Sequence, residues 1–91
     1  MAHIFELTIK ARPRDSGEFT ILLDFKEALF KEVFQNEIGH FPNSAAVDQA
    51  LDPLTIIIPR KKHSDHFRAF LFKQAENYGV IDDLDITVHS N

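Results

Sequence analysis

Between Leu54 and Ile58 the chain carries four β-branched residues in five positions, and Pro59 stops the run. Such a run reads as a strand, and its apolar groups on both faces call for cover on both sides, as in a central strand. A lone strand is not stable in water. The rest of the chain must therefore supply neighbours and a layer that packs on them.

The flanking segments carry two different periods. From His3 to Arg12, Phe5, Leu7, Ile9 and Ala11 fall on one face, opposite Ile4, Glu6, Thr8, Lys10 and Arg12, which predicts a half-buried strand. Pro13 to Gly17 is a turn cluster. Glu18 to Leu23 alternates again and predicts a second strand in a hairpin, with Phe19, Ile21 and Leu23 inward and Thr20 and Leu22 outward. The same stretch also reads as the start of one long helix from about Gly17 to Ile38. Thr20 and Ile21 favour the strand, because β-branched side chains are stiff.

Asp24 followed by Glu27 resembles a capping box. Phe25, Leu29, Phe30, Val33, Phe34 and Ile38 then recur at helical spacing, and Gly39 can close that helix. Asn43 or Ser44 can cap a short helix that ends before Asp52-Pro53. Ser64 can cap a last helix carrying Phe67, Phe70, Leu71, Ala75 and Tyr78, ended by Gly79. Leu84, Ile86 and Val88 alternate with polar residues in a final strand.

The expected order is thus β-β-α-(short α)-β-α-β. It forms one α+β domain over residues 1–91: a two-layer sandwich, with a four-stranded mixed sheet and helices on one face. No repeat or linker divides it.

With 91 residues and no Cys, disulfides, thiol catalysis and Cys-based metal sites are excluded. That composition fits a reducing cytoplasm. The N-terminal segment lacks the pattern of a signal peptide, and no apolar run reaches the roughly 18 residues needed to cross a bilayer, so no membrane association is expected. The net charge of −4 argues against a domain built mainly to grip nucleic acid.

No motif carries catalysis. There is no nucleophile elbow, no Gly-x-Gly-x-x-Gly and no phosphate-binding loop, and the Gly residues fall at predicted turns and helix ends. His63 with His66 reads as solvated helix-start residues, because no second pair lies nearby in sequence, and Asp82, Asp83 and Asp85 read as a turn and the solubilising, aggregation-blocking polar face of an end strand rather than as metal ligands. Neither a catalytic residue, a metal nor a cofactor is expected.

Two surfaces remain. Arg60-Lys61-Lys62, at the start of a helix, could hold an anion together with Arg12 if the topology brings the two basic clusters to one edge. The hairpin reading places them at opposite edges; the long-helix reading places them together. The other surface is apolar. Alternation puts Ile4, Leu22 and Ile57 on the open sheet face, while Phe41 in a loop and Phe72, off its helix's apolar stripe, are two further anchors. The remaining Phe residues of the strands and helices, Phe19 and Phe34 included, are expected in the core. The chain therefore reads as a small non-catalytic protein-binding module, an inhibitor or regulator of a larger basic partner, with the open sheet face also available for a homodimer. An anion or nucleic-acid binder is the alternative.

Overall fold

The structure, a computed structural model, describes residues 2–10, 12–42 and 54–90. The short helix expected at 44–51 and the inward Ala11 lie outside the described residues. The elements are β1 (His3–Ile9), α1 (Ser16–Gln35), β2 (Leu54–Ile58), α2 (Lys61–Asn77), a 3-10 turn (Ile81–Asp83) and β3 (Leu84–Ser90).

Among the described residues the fold is α+β, with a three-stranded antiparallel sheet in the order β2-β1-β3 and two helices. The expected four-stranded mixed sheet is corrected in two ways. Residues 18–23 are not a strand but the first turns of α1. The strand at Leu54–Ile58 is not central: β1 holds that place, and β2 alternates between buried Leu54, Ile56 and Ile58 and half-buried Thr55 and Ile57.

Asp15 decides where α1 begins. Its backbone is extended, and its carboxylate accepts the Glu18 N–H at 2.8 Å, satisfying one of the orphan donors of the first turn. Glu18 reaches back and accepts the Arg14 N–H at 2.8 Å, so Asp15-Ser16-Gly17-Glu18 closes as a capping box displaced by one residue. Arg14 also donates through Nε to Glu18 at 3.0 Å. These bonds favour the charged form and hold the Glu18 carboxyl below its ordinary pKa. Asp24, expected to open the helix, is an exposed mid-helix residue.

Both helices end in the same way. Glu37, at φ 52°, and Gly79, at φ 73°, take the left-handed conformation after the caps Asn36 and Tyr78. The next residues, Ile38 and Val80, donate back to Val33 O at 3.1 Å and Ala75 O at 2.9 Å. These are Schellman closures, with buried apolar pairs Ile38/Val33 and Val80/Ala75 across each. Gly39, expected to close α1, has a different task. The chain turns back beside β2, and His40 exchanges both backbone hydrogen bonds with Ile57 at 2.9 Å. A Cβ on Gly39 would run into the Ile57 carbonyl oxygen.

The core lies between the sheet and the helices. Phe5, Leu7, Leu54, Ile56, Ile58 and Leu84 from the strands meet Leu22, Phe25, Leu29, Val33, Phe67 and Leu71 from the helices in one cluster. Phe5 meets Phe67 edge to face, with ring centroids 5.2 Å apart, so α2 sits on the odd-numbered face of β1. On the other face Ile4 lies beside Ile57, and Glu6, Thr8, Thr87 and His89 are exposed.

Candidate functional site

The antiparallel register determines which groups can act together. His3 pairs with Ile58 and Leu7 with Leu54, so β1 and β2 run in opposite directions. Arg12 follows the end of β1, and Arg60, Lys61 and Lys62 follow the end of β2. The two basic clusters therefore stand at opposite ends of the sheet. The long helix is present, but the parallel strands inferred from it are not, because the return of the chain through His40 reverses the entry into β2.

At one end, Arg12, Pro13, Arg14, Glu18, Tyr78 and Asp83 contribute to a recess of about 530 Å³. Its charge is mixed, and Glu18 already engages Arg14. At the other end, α2 begins at Lys61, three residues before the expected Ser64 cap. Ser64 is buried within the first turn. Arg60 holds the N-cap position with extended backbone and gives no side-chain cap bond, and the first turn carries no acid. Lys61 and Lys62 thus lie at the positive end of a helix, where cations are unfavourable. Lys61 pairs with Asp65 at 3.8 Å, an exposed contact of small energetic weight. Lys62, His63, Asp65 and His66 share a second recess with Glu32 and Asn36 from α1. Among the described residues no group of three or more His, Asp or Glu has the geometry to hold a metal ion.

The expected apolar anchors separate. Ile4 and Ile57 lie on the sheet face away from α2, directly opposite each other and half-buried. Leu22 is not on that face: it belongs to α1 and is 5% exposed, inside the core. Phe41 is no free loop anchor either. It is 8% exposed and stacks on Phe30, with ring centroids 5.2 Å apart and planes 19° from parallel. Phe72 is exposed on α2.

Sequence reasoning placed Phe19, Ile21 and Phe34 in the core, whereas all three are exposed on α1, Phe19 at 39%, Ile21 at 41% and Phe34 at 49%. Phe19 and Phe34 lie on one side of the helix in series with the half-buried Leu23 and Phe30, at helical spacing. Phe34 also packs its ring 4.3 Å from Phe30 and 5.5 Å from Phe41 by centroid distance. The signal was present: apolar groups from Phe19 to Phe25 surround the helix, and one helix cannot turn all of them inward. No helix among the described residues is long and apolar enough to cross a membrane. No family model, no curated protein and no solved structure matches the chain.

Proposed function

We propose that the chain is a small non-catalytic protein-binding module whose contact surface is the apolar side of α1, built from Phe19, Leu23, Phe30 and Phe34. The supporting observation is that Phe34 and Phe19 keep 49% and 39% of their surface in solvent on one side of the helix. Large aromatic rings are the side chains that most often anchor protein contacts. Glu27 and Lys31, paired at 3.3 Å, flank the row and supply a polar rim. The net charge of −4 suits a larger basic partner, which this module would inhibit or regulate. The experiment is capture from an extract of the source organism with wild type, Phe34→Lys and Ile57→Lys in parallel. A protein retained by wild type and Ile57→Lys but lost by Phe34→Lys, at unchanged melting temperature, supports this surface. Loss with Ile57→Lys instead moves the contact to the sheet face.

An anion at the start of α2 is the second reading. It is favoured by Arg60 standing uncapped at a helix N-terminus beside Lys61 and Lys62, against the local electrostatic preference. A salt titration of binding to a short oligonucleotide tests it. Phosphate contacts lose affinity steeply with salt, and Lys62→Glu would abolish them.

A further inference from the structure

β3 is an edge strand, and among the described residues no strand pairs with its outer side. In the order β2-β1-β3 its inner side pairs with β1 over an unbroken register from His3↔Ser90 to Ile9↔Leu84, without a bulge. Leu84–Ser90 contains neither Pro nor Lys, two residues that often blunt an edge, and its one carboxylate, Asp85, is exposed. The outer side of β2, by contrast, is engaged by His40.

The hydrogen-bond phase shows which groups face outward. The Lys10 N–H donates to Asp83 O at 2.8 Å. In an antiparallel ladder the bonded pairs alternate, so Asp85, Thr87 and His89 turn their backbone groups to β1. Leu84, Ile86, Val88 and Ser90 turn theirs to the free edge. The other side of the sheet agrees in phase: Ile57 bonds outward to His40, which leaves its β1 neighbour Ile4 to bond with His89.

We propose that two copies of this chain pair antiparallel through β3, about a two-fold axis at Thr87, giving one continuous six-stranded sheet. Charge complementarity and register select a second copy as the occupant. With Thr87 on the axis, every outward backbone group of Leu84–Ser90 finds its counterpart: Ile86 opposite Val88 of the second copy, and Leu84 opposite Ser90. On the exposed face, Asp85 stands opposite His89 of the second copy. Within one chain Lys10 lies 3.8 Å from Asp85, and His89 lies 3.5 Å from Glu6. Pairing joins these contacts into a row Lys10, Asp85, His89, Glu6 that alternates in sign across the interface once His89 is protonated. On the core face, the half-buried Ile86 and Val88 cover one another. This pairing uses neither α1 nor the start of α2, so it stands apart from both functional readings.

Because the chain has no Cys, single cysteines report the register directly. Thr87→Cys places two sulfurs on the axis in a non-hydrogen-bonded pair, with Cα atoms about 4.5 Å apart, within disulfide reach. Asp85→Cys places them several residues apart across the interface. We expect the wild type to sediment as a dimer, Thr87→Cys to become covalently dimeric under mild oxidation, and Asp85→Cys to remain uncrosslinked. Val88→Pro, which removes an outward N–H and no bond to β1, should lose the dimer while keeping its helical circular dichroism. A wild type that sediments as a monomer at all concentrations tested, equal crosslinking of the two cysteine variants, or a folded Val88→Pro that stays dimeric would each overturn the proposal.

Discussion

Asp15 and Asp24 stand in the same Asp-x-x-Glu pattern, yet only Asp15 caps a helix. The difference is in what precedes them: Pro13 and Arg14, before Asp15, belong to no helix, whereas Asp24 follows two helical turns. Asp15→Ala should therefore cost about 1 kcal/mol of stability, while Asp24→Ala changes it by less than about 0.5 kcal/mol, measured by urea unfolding. Glu18 adds a pH dependence at the same place. Its folded pKa lies below the unfolded one, so its contribution is present above the ordinary carboxylate range and is lost as pH falls through the folded value. Glu18→Gln should flatten the acid limb of the stability profile and leave the slope at neutral pH unchanged. Arg60 is the converse of Asp15, a cation in a position with cap geometry. Arg60→Asp should raise stability by about 1 kcal/mol by supplying the missing cap, read as a higher melting temperature. No such gain would mean that the arginine already has a stabilising role there.

Among the elements, β1, α2 and β3 were legible because each shows a single period over its length, and β2 because its short β-branched run is stopped by Pro59. Residues 18–23 were not, because Phe19, Ile21 and Leu23 satisfy a period of two as well as they satisfy a crowded helix. What separates the readings is the exposure of Phe19 and Ile21, a property of the surface that periodicity assumes away. The end of α1 was misplaced by two residues for a related reason. Gly39 was read as the left-handed closing residue, but Glu37 takes that conformation and Gly39 serves a close approach to Ile57. The two roles predict opposite outcomes. Glu37→Gly should stabilise by about 1 kcal/mol by relieving the left-handed conformation. Gly39→Ala should destabilise by about 1–3 kcal/mol, because the added methyl group displaces the His40–Ile57 bridge. Calorimetric melting of both variants checks the pair.

At the scale of the molecule, the strand directions came out as the hairpin reading had them, with the first strand antiparallel to the others, but through a reversal that this reading did not contain, because its second strand is the start of α1. The reversal depends on residues 38–41 running back along β2, and His40-Phe41 carries no pattern that announces it. That reversal separates Arg12 from Arg60, Lys61 and Lys62, and it weakens the case for one extended basic surface. It leaves two candidate contacts of different chemistry: the aromatic side of α1 and the cationic start of α2. A proton–nitrogen correlation spectrum of the labelled chain, titrated with the partner captured from its source, distinguishes them residue by residue. The account predicts shifts concentrated at Phe19, Leu23, Phe30 and Phe34, with Arg60 to Lys62 unmoved and little change on raising salt. Shifts concentrated at Arg60, Lys61 and Lys62 that vanish with salt, while the α1 residues stay still, would contradict it.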